Sequence, residues 1–214
     1  CTVIQGYGLT ETSPVTHMDF TDERMKPGSI GPVLPDIEQR VVDMETGLVD
    51  LGPNELGELL LRGANIMRGY YNQPDATAAA IDSHGWFRTG DLVKVDEDGY
   101  VYVLDRKKEL IKYSGFQVPP AELEGILLEH PAVADVAVIG KEDLEHGEIP
   151  KAFVVLKAGS IASTYELMDY VGNQVATFKR VREVEFVDTI PKNPSGKLLR
   201  RMLVERERAK GKGV

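Results

Sequence analysis

A single cysteine, Cys1, in 214 residues excludes an internal disulfide, and a reducing cytoplasm is the expected home. No apolar run approaches the roughly 20 residues that a bilayer span requires. A basic, then apolar, then small-residue leader is also missing. Positive charge is in deficit. There are 25 Lys and Arg against 34 Asp and Glu, a net charge of -9, which argues against a general nucleic-acid binder. No internal repeat and no low-complexity linker interrupts the chain. An initiator methionine is lacking too. The chain opens in mid-motif at Cys1-Thr2-Val3-Ile4, as expected of a fragment or a processed product. The closing Lys212-Gly213-Val214 is not a peroxisomal address.

What is present is ordinary for a globular chain: 42% hydrophobic residues, in a length that suits one large domain or two smaller ones. Residues 1–29 read as a strand-like start, a glycine turn and an irregular stretch. Residues 30–104 are punctuated by Gly and Pro and read as short strands: Ile37 to Val42, Glu58 to Arg62, and a hairpin of Leu92 to Val95 with Tyr100 to Leu104. A Pro-initiated, Ala-rich helix, Pro74 to Ile81, interrupts them. A small distorted barrel is expected there.

The pattern changes after Asp105-Arg106-Lys107-Lys108. A helix is expected from Pro119-Pro120 to near His130. Strands follow at Val133 to Ile139 and Ala152 to Leu156. Ser163-Thr164-Tyr165-Glu166 is a capping box that opens another helix. A third strand, Val184 to Val187, and a last helix, Leu198 to Arg208, complete a compact α+β domain. The basic stretch Lys197 to Lys212 reads either as a solvated helix face or as a surface for a polyanion.

Four motifs carry candidate chemistry, and each also has a plain structural reading. In Gly6-Tyr7-Gly8-Leu9-Thr10-Glu11 the glycines allow close backbone approach. Tyr7 offers a flat face to a base, Thr10 a hydroxyl to phosphate and Glu11 a hard oxygen to Mg²⁺. A glycine turn beside a strand explains the pattern equally well. In Trp86-Phe87-Arg88-Thr89-Gly90-Asp91-Leu92, Asp91 can accept ribose hydroxyls, or can simply make an Asx turn. Asp105-Arg106-Lys107-Lys108-Glu109 is an ionic run before the turn Ser114-Gly115-Phe116, and is equally a solvated linker. Pro191-Lys192-Asn193-Pro194-Ser195-Gly196-Lys197 presents a lysine on a Pro- and Gly-held loop, suited to developing negative charge. It is not a phosphate-cradling P-loop, because Leu198 follows the lysine and the first glycine is missing. Its plain reading is a surface lysine at a helix start.

Together, in this order, these motifs resemble the adenylate-forming superfamily: acyl-CoA synthetases, aryl-CoA ligases, firefly luciferase and peptide-synthetase adenylation domains. The block from Gly57-Glu58-Leu59 to Arg68-Gly69-Tyr70-Tyr71 adds to the resemblance, which covers nearly the whole chain. It implies ATP, Mg²⁺ and CoA as cofactors and a small carboxylic acid, fatty or aryl, as substrate. By position, Tyr7 stacks on adenine in the Tyr7-Gly8 nucleotide turn, Thr10 contacts the α-phosphate and Glu11 holds Mg²⁺. Asp91 and Arg106 contact the ribose. Lys197 serves adenylate formation, while Lys112 and Gln117 serve related ligases, Lys112 in the thioester step. Gly115 and Phe116 lie in the loop facing CoA's pantetheine arm.

The resemblance also implies four parts: the end of a larger subdomain at 1–29, a β-rich subdomain at 30–104, a hinge at 105–108 anchored on Asp105 and Lys108, and a mobile α+β domain at 109–214. The family's Ser/Thr/Gly-rich phosphate loop is not among these residues, so the isolated chain is expected to be inactive. With its sheet partners lost, 1–29 is expected to be disordered or paired with another molecule. Tyr113 to Glu122 favours an acid–CoA ligase. A luciferase-like oxygenase, a carrier-loading adenylation domain and a non-catalytic nucleotide-binding module are the alternatives. Phe178 stands where many relatives carry tyrosine.

Overall fold

The computed structural model describes residues 2–194 and 196–211. Cys1, Ser195 of the lysine loop and the terminal Lys212-Gly213-Val214 lie outside the described residues. Two compact units emerge, residues 1–108 and 109–214.

In the first unit, β1 (Gly6–Gly8) pairs antiparallel with β2 (Val15–Met18). An antiparallel meander follows: β3 (Ile37–Val42), β4 (Gly57–Gly63), helix α1 (Pro74–Ala80), β5 (Phe87–Val95) and β6 (Val101–Arg106). Alternation along β4 sorts the core. Leu59 and Leu61 pack with Val41, Val93 and Val101, while Leu60 turns to the other face with Val42 and Trp86. Arg40 and Arg62 lie over the Trp86 ring at 5.2 and 4.5 Å from its centroid. The expected α+β class holds, but these four strands form an open sheet and not a barrel.

The expectation of a disordered or intermolecularly paired 1–29 is overturned by its own contacts. The segment supplies its own strand partner in the β1–β2 hairpin. Beyond it, Ser29 Oγ donates to the Val101 carbonyl at 2.9 Å and Tyr100 Oη donates to the Arg24 carbonyl at 2.6 Å. Lys26 bridges Asp96 and Asp98 in the β5–β6 turn. Backbone groups that would otherwise be orphaned are thereby satisfied within the unit.

The second unit centres on β10 (Gly147–Leu156). It runs antiparallel to β9 (Val133–Asp143) and parallel to β11 (Glu183–Phe186), and its Gly147 pairs with Tyr113 of β7 (Ile111–Tyr113), which hairpins with β8 (Phe116–Val118). Helices α2 (Pro120–Glu129) and α3 (Thr164–Gly172) cover one face, where Leu123, Leu127, Leu167 and Val171 meet Val138, Ala152 and Val154. Phe153 points to the opposite face and packs with Ile139, Ile190 and Leu203 of α4 (Arg200–Gly211). Burial on both faces explains the unbroken apolar run at 152–156. Ser163 and Glu166 form the expected capping box on α3.

The last helix starts two residues later than the sequence suggests. Lys192 bridges Leu198, and Leu199 N–H donates to the Pro191 carbonyl at 2.9 Å, so the chain closes a tight loop before it can turn helical. No described helix is long and apolar enough to cross a membrane.

Candidate functional site

Within the first unit, three sequence-distant candidates meet. Asp91 lies inside β5, directly across the ladder from Arg106 of β6. Arg106 Nε is 3.4 Å from Asp91 Oδ1, and Tyr7 Oη donates a short hydrogen bond to Asp91 Oδ2. Asp91 is therefore a ladder residue, not the Asx turn of the plain reading. Gly90, at φ 71°, bends the strand immediately before it. Thr89 Oγ1 accepts from the Asp91 N–H at 3.1 Å and donates to the Leu59 carbonyl at 2.8 Å, which fixes the approach. Asp91 is only 3% exposed. Burial, and then the Asp91 carboxylate, push the Tyr7 hydroxyl far above the ordinary phenol range. Tyr7 is thus a constitutive donor.

The Tyr7 ring rests edge-on against His17, 5.7 Å between centroids. His17 is fully buried, with Nδ1 2.8 Å from Thr16 Oγ1 and Nε2 2.9 Å from Gln39 Oε1. Its burial lowers its pKa.

Thr10 and Glu11 occupy a short 3-10 turn, Thr10–Thr12. Thr10 is exposed. Glu11 is held twice: Met67 N–H donates to its carbonyl at 2.8 Å and Tyr70 Oη donates to Oε1 at 3.0 Å. Buried Thr12 stitches the turn through Leu9, and Asn65 Nδ2 donates to the Thr12 carbonyl at 2.8 Å. In the sequence the 57–71 block carries only the family resemblance. Its role here is to cradle the Glu11 turn. In the turn's own hairpin, an added Cβ at Gly8 would lie 1.8 Å from the Pro14 carbonyl oxygen, so only glycine fits.

In the ionic run, Arg106 engages Asp91 and Lys107 reaches buried Glu58 at 3.0 Å. Arg88 also contacts Glu58, at 3.3 Å. Glu58 was missed from sequence, although a glutamate between the apolar residues of a central strand is the signal for a buried partner. Asp105 is buried and caps the Arg106 N–H at 2.7 Å. Lys108 is exposed.

In the second unit, Lys112 and Gln117 are directly opposed across β7–β8. Ser114 and Gly115, at φ 47° and 85°, form the two-residue turn between them. Ile111 and Val118 on the other face are buried, so Lys112 and Gln117 share the exposed face. Phe116 stacks on Phe178 at 4.5 Å, an aromatic contact that needs no tyrosine hydroxyl.

Lys197 ends a turn closed by its own backbone. Its N–H donates to Asn193 Oδ1 at 2.8 Å, and Asn193 N–H donates to its carbonyl at 2.9 Å. Its ammonium is exposed and makes no ion pair among the described residues. Further along α4, exposed Arg201 pairs with Glu205 of the same helix, and the other cations meet acids from elsewhere in the unit. Arg200, Arg206, Arg208 and Lys210 are paired with Glu109, Glu124, Glu185 and Glu142 of their own unit. Acidic strand residues had no visible link to that stretch in sequence.

Residues 1–71 match the family model described as AMP-binding enzyme, and residues 122–197 match the AMP-binding enzyme C-terminal domain. The chain is 50% identical over 204 residues to peroxisomal OPC-8:0-CoA ligase 1 of Arabidopsis thaliana, covering 95% of the chain and 37% of that protein. It is 48% identical to 4-coumarate–CoA ligase 2 of Nicotiana tabacum, covering 93% of the chain and 37% of that protein. The chain thus spans 37% of the length of these curated relatives. Among solved structures, ATP-bound MatB from Rhodopseudomonas palustris aligns with a TM-score of 0.92 at 35% identity, over 99% of this chain and 42% of that one. Apo MatB aligns over the same shares with a TM-score of 0.71. The o-succinylbenzoate CoA synthetase MenE of Bacillus subtilis, bound to its acyl-adenylate, gives 0.84 at 39% identity, over 94% of this chain and 40% of that one. With both family matches in order along one chain, and ligases of this kind aligned across nearly all of it, the chain belongs to the adenylate-forming AMP-binding enzymes.

Proposed function

We propose that this chain is the nucleotide- and thiol-handling part of an acid–CoA ligase. The observation that carries the reading is the meeting of Tyr7, Asp91 and Arg106 from three separate motifs in one buried-edge cluster. Such a cluster offers a carboxylate acceptor for ribose hydroxyls beside an aromatic ring and a guanidinium. An acid oxygen attacks the α-phosphorus of ATP, the bond to the β-phosphate breaks and pyrophosphate leaves. The thiol sulfur of CoA then attacks the acyl carbonyl, loses its proton and expels AMP. The first step concentrates negative charge at phosphorus, and exposed Lys197 supplies positive charge there. Lys112, with Gln117 beside it and the Gly115-Phe116 turn next to it, serves the second step.

Glu11 and Thr10 face the phosphates. Mg²⁺ is commonly held by one or two carboxylates plus substrate phosphates, and the lone, oriented Glu11 fits that mode. No group of three or more His, Cys, Asp or Glu among the described residues offers an all-protein cage. When bound, the ion would neutralise phosphate charge.

Residues 105–108 serve as the hinge that exchanges Lys197 for Lys112 between steps. Arg106 and Lys107 are anchored on the first unit, and Lys108 is exposed. Fatty and aryl acids are the substrate class. A lone cysteine supports a reducing compartment, the cytoplasm being the simplest. One relative carries a peroxisomal name, and cell fractionation decides between the two.

The test is made on the full-length protein. Lys197→Ala should reduce acid-dependent pyrophosphate exchange about a hundredfold and spare thioester formation from supplied acyl-AMP. Lys112→Ala should do the reverse. Equal losses in both half-reactions would refute the assignment, and normal turnover by Lys108→Pro would remove the hinge.

A further inference from the structure

His146 lies in the β9–β10 turn, in no motif that the sequence singled out. Three of its contacts converge on the β7–β8 hairpin. Its Nδ1 is 2.9 Å from Ser114 Oγ. Its carbonyl accepts the Ser114 N–H at 2.8 Å. Its ring stacks on Tyr113, 4.7 Å between centroids at an interplanar angle of 29°. The turn that carries it is itself fixed, because Asp143 Oδ1 accepts the N–H groups of Glu145 and His146 at 3.0 and 2.8 Å. Next to it, Glu148 Oε2 accepts the Lys112 N–H at 2.8 Å. On the far edge of the Tyr113 ring, Arg182 Nη2 donates to the hydroxyl at 3.1 Å.

The hairpin needs this support. It is three residues per strand, and an isolated two-stranded hairpin is marginal in water. Among the described residues its ladder pairing with β10 is confined to Gly147–Tyr113, with the Ser114–His146 and Lys112–Glu148 bonds beside it. Ser114 is a non-glycine residue at positive φ, a conformation that persists only where surroundings over-determine it. The face bearing Tyr113 and Phe116 is clamped, by His146 and Arg182 on one strand and by Phe178 on the other. The opposite face holds Lys112 and Gln117 in the open.

We infer that His146 is a positioning residue for the thiol step: by gripping Ser114 and Tyr113 it sets the pitch of the hairpin and so the place of Lys112 and Gln117. The inference rests on the assignment of Lys112 to that step. The His146 imidazole acts through the hydroxyl of Ser114 and the ring of Tyr113.

The test uses the full-length enzyme with both half-reactions measured separately. His146→Ala should slow acyl-CoA formation from supplied acyl-AMP roughly tenfold, short of the hundredfold that a 1 Å misplacement can cost. Pyrophosphate exchange should stay within about twofold. His146→Asn, whose side-chain amide can meet the Ser114 hydroxyl, should recover most of the rate. Ser114→Ala, which leaves the histidine in place, should reproduce the loss and keeps the test available if His146→Ala folds poorly. Equal falls in both half-reactions, or no recovery with Asn, would reduce His146 to a structural residue and overturn the inference. If Lys112→Ala leaves the thiol step intact, the underlying assignment fails instead, and that outcome is read independently of the His146 variants.

Discussion

Asp91 and Arg106 face each other across the β5–β6 ladder, with Arg106 Nε 3.4 Å from Asp91 Oδ1. The same carboxylate takes the Tyr7 hydroxyl, so an aromatic ring, an acceptor and a cation are fixed by one residue. Arg106 is also the last residue of β6, two residues before the end of the first unit at Lys108. In the proposed enzyme, nucleotide contact and hinge therefore share a residue.

From this geometry, Asp91→Asn in the full-length protein should weaken ATP binding by about 1.5–3 kcal/mol, the range for hydrogen bonds to a charged group. Titration calorimetry with ATP measures it. Tyr7→Phe should cost less, because the ring remains and only the donor to Asp91 is lost. Unchanged affinity in Asp91→Asn would separate this cluster from the nucleotide.

Arg200 opens α4 and forks onto Glu124, with Nε 3.2 Å from Oε1 and Nη2 2.5 Å from Oε2, while its Nη1 bonds Glu109. The guanidinium joins three segments at its planar edge. Arg200→Ala should destabilise the chain by about 1.5–3 kcal/mol. Arg200→Lys should recover little, since an ammonium cannot reproduce the fork. Thermal or urea unfolding of the chain checks both.

Lys151 is 3% exposed at its side chain and touches Glu183, Glu185 and Glu207 at 2.7, 2.9 and 2.9 Å. Lys151→Met keeps the volume but leaves clustered carboxylates, and should cost about 3 kcal/mol. Acid reports the same network. Burial alone would raise the Glu185 carboxyl, but Lys210 and Lys151 outweigh it and bring it down to about 2. That stabilisation is complete above the unfolded value near 4.5 and is lost as pH falls towards 2. Unfolding midpoints measured from pH 5 to 2 should show this decline, and the decline should shrink in Lys151→Met.

His17 gives the opposite titration. Burial lowers its pKa, so the unfolded chain takes up a proton near pH 6.5 that the folded unit refuses. The stabilisation is present above that pH and erodes below it, by at most about 1.4 kcal/mol per pH unit. Midpoints between pH 7.5 and 5.5 should fall in the wild-type chain and fall less in His17→Gln. An equal slope in both would place the sensitive group elsewhere.

The order of the motifs, the α+β class and most elements were legible in the sequence, because each rests on local rules. Pro74 and Pro120 start helices, Ser163 with Glu166 caps one, and Gly and Pro punctuation sets off β3 and β4. What lay beyond the sequence was pairing at long separation. Nothing local to Tyr7 announces Asp91, and nothing near Lys112 announces His146. The late start of α4 at Arg200 and the open sheet in place of a barrel followed from hydrogen bonds between segments, which outbid local propensity. The basic stretch is the clearest case. Its charges were plain in the sequence, yet it took the β10–β11 register and the packing of α4 against that sheet to bring Glu185 and Glu207 to Lys151 and Glu185 to Lys210, and Lys197 was left exposed on its turn.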